Sequence, residues 1–197
     1  LRYGQDPAMV IRSYQSWNAW QLGRSDDADA FSAEAVELAR ASRHPFSIAY
    51  GLTFAAWHAM NRMAPELARD LLDEAIALCR EHRIQVFLAL ALALDALRRM
   101  GGGEAAEALE AMEESLKVYR ATGAELFLPA WYGAMAQAAA GTGRPERAAA
   151  LLDEAMRTCE RTGERWCLAE LCRGRALLEL ARGGAGAAAP WLARART

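Results

Sequence analysis

Apolar, acidic and small positions return along this chain in one fixed order. Leu71-Leu72-Asp73-Glu74-Ala75-Ile76 comes back as Leu151-Leu152-Asp153-Glu154-Ala155-Met156, and 151 − 71 is 80. Halfway between stands Ala111-Met112-Glu113-Glu114-Ser115-Leu116, and half that interval before the first copy stands Phe31-Ser32-Ala33-Glu34-Ala35-Val36. Apolar residues three and four apart, with charges between them, make each segment the stripe of an amphipathic helix. One such helix pair cannot bury its apolar face alone, so a period of this length predicts a stack of repeats.

The frame predicts two helices in every unit. The first helices fall at about 7–22, 46–62, 84–100, 126–141 and 166–182. The second fall at about 27–43, 65–82, 104–121, 145–161 and 185–197, the last being incomplete. The chain is therefore expected to be all-α, a single solenoid of antiparallel helix pairs at about 40 residues per repeat. Its units would cover about 7–43, 46–82, 84–121, 126–161 and 166–197. With no initiating Met and an end inside a helical pattern at Ala195-Arg196-Thr197, it reads as a fragment of a longer protein.

Turn chemistry agrees with the frame. Gly23-Arg24-Ser25-Asp26, Met63-Ala64, Gly101-Gly102-Gly103, Gly141-Thr142-Gly143 and Gly183-Gly184 each close a pair. Glycine past a helix end supplies the left-handed cap, and Pro65 and Pro145 stand where a helix tolerates a missing N–H. Only Phe87 to Leu94 imitates an alternating strand, and it is rich in Ala and Leu rather than β-branched residues. Gln85 and Asp95 stop that run well short of the roughly 20 apolar residues a membrane span requires.

Small residues predict how the pairs pack. Ala28, Ala68, Ala108, Ala148 and Ala188 share one place in the second helix. Ser16, Ala56, Ala96, Ala136 and Ala176 share one place in the first. Facing one another, they would let two helix backbones approach closely.

Composition narrows the function classes. The apolar share of 53% supplies a core, and 23 basic against 25 acidic residues leave −2, with no basic excess for direct nucleic-acid binding. Cys79 and Cys159 occupy one place in two repeats, while Cys167 and Cys172 share one helix. Free buried thiols in a reducing compartment, with no apolar leader in view, predict a cytoplasmic location.

This layout is similar to the tetratricopeptide repeat (TPR), with a unit longer than the usual length of about 34 residues. Three phrases narrow the likeness: Tyr3-Gly4-Gln5-Asp6-Pro7, Trp20-Gln21-Leu22-Gly23-Arg24, and Arg161-Thr162-Gly163-Glu164-Arg165-Trp166 with Ala169-Glu170-Leu171. They resemble the C-terminal repeats of large bacterial signalling proteins. Those proteins carry a signalling ATPase domain, often behind an adenylate or guanylate cyclase domain or beside a DNA-binding domain of transcriptional regulators. Cys167 and Cys172 depart from the aromatic and the histidine expected at those places. The resemblance implies a right-handed α-solenoid that receives a protein or small-molecule signal and controls an upstream output domain by intramolecular contact. It implies no chemistry within this segment.

The residues themselves offer little catalytic material. Gly101-Gly102-Gly103 lacks the Lys-Ser or Lys-Thr of a phosphate loop. His44, His58 and His82 are scattered, so neither a metal site nor a cofactor is expected. Asp95, inside an apolar helix, is either an anchor for a cationic ligand or a local partner of Arg98 or Arg99. Asp73-Glu74, Glu113-Glu114 and Asp153-Glu154 recur in successive units, as a solvated face does and a catalytic pair does not.

Aromatic residues mark the expected site. Trp17 and Trp57 are one period apart and Leu97 continues their row, with Tyr14, Tyr50 and Thr53 on neighbouring turns of the same helices. First helices line the concave groove of such arrays, the usual binding face. Tyr14, Trp17, Tyr50, Thr53, Trp57 and Leu97 are therefore the expected contacts for a protein, a peptide or a small-molecule effector. The reading is a non-catalytic interaction or sensing scaffold. Its alternatives are an effector-binding domain of a transcriptional regulator and a self-association module forming a homodimer.

Overall fold

The computed structural model describes residues 6–101 and 104–196. Among them are ten α-helices and no strand: α1 (Pro7–Gln21), α2 (Ser25–Ala41), α3 (Pro45–Asn61), α4 (Pro65–His82), α5 (Gln85–Gly101), α6 (Ala105–Ala121), α7 (Leu128–Gly141), α8 (Pro145–Thr162), α9 (Leu168–Ala181) and α10 (Ala185–Arg194). The odd-numbered helices end at Gln21, Asn61, Gly101, Gly141 and Ala181, each one full period after the last. The even-numbered helices start at Ser25, Pro65, Ala105, Pro145 and Ala185, at the same interval. Gly102 and Gly103 of the turn expected between α5 and α6 lie outside the described residues.

Backbone conformation repeats with the same period. Gly23, Met63, Gly143 and Gly183 close four of the pairs with φ of 73°, 56°, 73° and 80°. In each the next residue's N–H reaches back to a helical carbonyl, as Arg24 does to Ala19 at 2.9 Å and Ala64 to Ala59 at 2.9 Å. This is the glycine-terminated helix stop, and Met63 holds it without glycine. A side chain in the left-handed region costs roughly 1 kcal/mol, and Met63 is 86% exposed, so it recovers almost none of that by burial. Met63→Gly is expected to raise stability by several tenths to about 1 kcal/mol, after the added freedom of the unfolded chain is subtracted. The urea midpoint measures this, and a lower midpoint would show that Met63 is held by something other than its turn.

The helices gather into two compact units. Residues up to Arg98 together with Glu113–Gly123 form the first, and Arg99–Met112 together with the residues from Ala124 onward form the second. In the first, α1 packs on α2 and α3, α2 on α3, and α3 on α4. Ser16 Oγ donates to the Ala28 carbonyl at 2.8 Å, so the two small-residue rows do face each other there. Gly51 of α3 lies so close to α2 that an added Cβ would sit 2.9 Å from Ala39 Cβ. The alternating run of α5 is buried on most sides, with Ala89, Leu90, Ala91, Ala93, Leu94 and Ala96 all at or below 2% exposure.

In the second unit α7 packs on α8 and α9, α8 on α9, and α9 on α10. Trp131, Phe127, Leu128 and Leu171 fill its centre, each 1–2% exposed. The Arg161–Trp166 phrase acquires a physical role here. Both carboxylate oxygens of Glu164 accept from the Phe127 N–H, at 3.0 and 3.1 Å, and Trp166 Nε1 donates to Glu164 Oε1 at 2.6 Å. Arg161 grips Glu125 at 2.7 and 2.8 Å. Phe127 itself takes φ of 69°, which delays the start of α7 to Leu128, and α9 likewise starts at Leu168. These two helices are thus each shorter at the front than the periodicity predicts.

The five alanines of the second-helix row are at most 1% exposed, and the five residues of the first-helix row at most 3%. Among the described residues no helix is long and apolar enough to cross a membrane.

Candidate functional site

The site is built on α1 and α3 of the first unit. Asp6 caps α1, its Oδ1 accepting from the Ala8 N–H at 2.8 Å, and its own N–H donates to Ser47 Oγ on the first turn of α3 at 3.1 Å. That link holds the two helices in register, so positions one period apart come side by side. Trp17 and Trp57 accordingly lie with ring centroids 5.7 Å apart. Tyr14 stands 6.2 Å from Trp17 and edge-on to Phe54 at 5.8 Å. Phe54 stacks on Tyr50 at 4.4 Å with an interplanar angle of 3°, and Tyr50 meets Phe87 of α5 at 5.3 Å. The result is one continuous aromatic face. Ring pairs of this kind contribute about 0.5–1.5 kcal/mol each beyond the area they bury, so the face is rigid before any partner arrives.

Not every expected residue reaches that surface. Tyr14, Trp17, Trp57 and Leu97 are half-buried, and Tyr50 is 7% exposed. Burial first, and then the neighbouring Tyr14, push the Tyr50 hydroxyl well above the ordinary tyrosine value, so it stays protonated. Thr53 requires correction: it is fully buried, and its Oγ1 donates to the Ala49 carbonyl at 2.7 Å. A threonine that bonds its own helix one turn back presents no hydroxyl to a ligand. Phe54 is missing from the expected set, although it follows Tyr14 by one period just as Trp57 follows Trp17.

A second feature that the sequence reading misses borders the face. His58 Nε2 lies 2.6 Å from Asp29 Oδ1 on α2, with the ring nine-tenths buried and Trp20 edge-on at 5.9 Å. Arg62 holds the other carboxylate oxygen of Asp29 at 3.1 Å. A histidine–carboxylate pair orients a general base where a nucleophile lies within reach. Here the ring's neighbours across the cleft are Ser16, Trp17, Phe54 and Trp57, and Ser16 already donates its hydroxyl to Ala28. The cleft encloses only about 20 Å³, room for one water at most. Its geometry suits contact and not enclosure.

Several of the other chemistry-bearing groups have structural partners. Asp95 accepts from Arg98 Nε at 3.1 Å and Nη2 at 2.8 Å, the local pair that the spacing offered. Glu74 pairs with Arg40 at 2.7 Å and Asp153 with Arg175 at 2.6 Å. Among the described residues no group of three or more His, Cys, Asp or Glu converges as a metal site would. All four thiols are free and buried. Burial raises each above its ordinary value, Cys79 to about 11 and Cys167 to about 12, and a protonated thiol is a poor nucleophile. Iodoacetamide at neutral pH is therefore expected to label the native chain far more slowly than the urea-unfolded chain, as read by mass spectrometry. Rapid labelling of one cysteine in the native chain would reveal an activated thiol.

No family profile and no curated protein matches this sequence. Solved structures do. The crystal structure of the apo form of RapI superposes with a TM-score of 0.65 at 9% identity, covering 96% of this chain and 83% of that one. A putative kinesin light chain from Podosopora anserina, with nearly identical TPR-like repeats, superposes at 0.62 with 18% identity, covering 95% and 92%. At such identities the likeness speaks for architecture alone, and the fold of this chain is that of an all-α, TPR-like helical-repeat solenoid.

Proposed function

We propose that this chain is a non-catalytic scaffold that holds a protein or peptide against the aromatic face of α1, α3 and α5. The observation that carries the reading is the pairing of the half-buried Trp17, Trp57, Phe54 and Tyr14 with a cleft of only about 20 Å³. Pre-set aromatic anchors without an enclosing cavity suit an extended partner that lays side chains across them. Tyr14, Trp17, Phe54 and Trp57 make the contact, Tyr50 and Leu97 support it from behind and beside, and Thr53 stays in the interior. The repeat fold shared with RapI and the kinesin light chain agrees with an interaction role.

The finer part of the proposal concerns what the binding controls. The phrase from Arg161 to Leu171 resembles the repeat regions that accompany signalling ATPase and nucleotide-cyclase domains. In the full-length protein, occupancy of the aromatic face would then set the activity of such an output domain. The deciding experiment captures partners on immobilised wild type and on Trp57→Ala in parallel. A protein or peptide retained by the first and lost by the second supports the reading; partners retained equally by both overturn it. Light scattering at several concentrations separates this from self-association, which would raise the apparent mass with concentration and need no second protein.

A further inference from the structure

The tight cleft of the first unit has an open counterpart in the second. Six residues besides Ser13 surround the space of about 20 Å³: Ser16, Trp17, Phe54, Trp57, His58 and Asn61. Three periods later, at +120, stand Ala136, Gln137, Gly174, Leu177, Leu178 and Ala181. All six of these line a cleft between α7, α8 and α9 of about 520 Å³. The difference follows from the side chains. An indole has become the amide of Gln137, a phenyl the hydrogen of Gly174, a second indole the isobutyl of Leu177, and Trp20 corresponds to Ala140, which also borders the cleft. The helices do not close the gap. Leu171 lies against Gly133, where an added Cβ would come 2.6 Å from Leu171 Cδ2, and Gln137 Nε2 donates to Glu170 at 2.9 Å. Those contacts fix the separation of α7 and α9.

The walls are mainly carbon, and the charged groups among the lining residues are Arg173 and Arg182, each paired with a carboxylate that is not itself a lining residue. Both arginines are partly exposed at the mouth: Arg173 leans on Glu170, and Arg182 meets Glu146 at 2.7 Å, a carboxylate 89% exposed. Pairs this open contribute little and are readily exchanged for a bound anion. We propose that this cleft is a binding site for a small carboxylic acid with an apolar body. The alkyl or aryl part lies over Ala136, Leu152, Leu177 and Leu178, and the carboxylate meets the guanidinium groups of Arg173 and Arg182. A space of this size falls in the range of ligand pockets, about 300–1,000 Å³. The inference is independent of the aromatic face, because it concerns another unit and another class of partner.

Calorimetric titration of the whole chain with octanoate, and with 1-octanol as the uncharged counterpart, tests it. Octanoate is expected to bind one per chain and more tightly than octanol. Gly174→Leu restores the bulk that Leu94 supplies two periods earlier, and its Cβ would meet Leu152 Cδ2 at an ordinary 3.5 Å. Ala140→Met likewise restores Met60. Each filling variant that keeps the wild-type circular dichroism and melting temperature should bind octanoate about tenfold more weakly or worse. Arg173→Gln combined with Arg182→Gln should bring octanoate down to the affinity of octanol. The proposal is overturned by wild-type affinity in both filling variants, by equal binding of octanoate and octanol to the wild type, or by no binding of octanoate at millimolar concentration.

Discussion

Ala148→Leu lowers the stability of the second unit by about 1–3 kcal/mol, and Ala68→Leu does the same to the first. Ala148 is 1% exposed and Ala68 0%. They hold the place of Ala28 in their own repeats, and the Ser16 hydroxyl touching the Ala28 carbonyl at 2.8 Å shows how close the backbones come there. Three added heavy atoms have nowhere to go at Ala68, whereas Ala148 borders the cleft between α7, α8 and α9, so its leucine falls at the lower end of that range. The pair must separate, which loosens every contact along both helices, or the leucine must leave its preferred rotamer. Thermal melting reads the outcome, with a shift of about 2–4 °C for each kcal/mol in a chain of this size. Ala150→Leu, two residues further at an exposed position of α8, serves as the control and should melt near the wild-type temperature. If Ala68→Leu also melts there, these alanines do not set the helix separation.

That row is also where the sequence speaks most plainly. A repeat stacks only if each helix pair meets the next at the same height, so the five ends from Gln21 to Ala181 keep their interval and the small residues keep theirs. Periodicity reports such positions because every unit needs them. It is silent on features that occur once. The late start at Leu128 comes with a left-handed Phe127 held by Glu164, a carboxylate far along the chain that no local pattern joins to it. Gly51 is equally hidden: other units hold Ile11, Ala91, Trp131 and Leu171 at its place, yet only here does α3 press an absent side chain against Ala39.

The aromatic face divides in the same way. Trp17 and Trp57 are legible because a separation of one period places them on matching turns of adjacent first helices. Thr53 is misjudged because spacing gives the side of a helix and not the depth of a group. Three residues after Tyr50, it points into the interior and bonds Ala49. The His58–Asp29 pair links a first helix to the preceding second helix, at a separation that is not a whole period, and no repeat position foreshadows it. The open cleft of the second unit is legible in principle, as a loss of aromatic residues at +120 from Trp17, Phe54 and Trp20. It takes the register of the helix ends to show that those places correspond.

Trp57→Ala is expected to weaken the partner's binding by at least about 2 kcal/mol, close to 30-fold in dissociation constant. Trp57 is half-buried, which gives an indole enough wall to be rigid and enough surface to be covered by a second molecule. Its contact with Trp17 at 5.7 Å, and Trp17's with Tyr14 at 6.2 Å, mean that removing it also loosens its neighbours, so the loss should exceed that of an isolated side chain. Glu114→Ala provides the contrast. Glu114 lies on α6 of the same unit, 72% exposed and paired with Lys117 on its own helix, and its loss should change binding by a few tenths of a kcal/mol at most. The emission of Trp17 and Trp57 should shift as the partner is added, because both indoles would exchange water for partner side chains, and the shift should shrink in Trp57→Ala. A partner that binds Trp57→Ala as tightly as wild type, with circular dichroism showing both chains folded, would reduce Trp57 to packing between neighbouring repeats and move the binding face elsewhere on the unit.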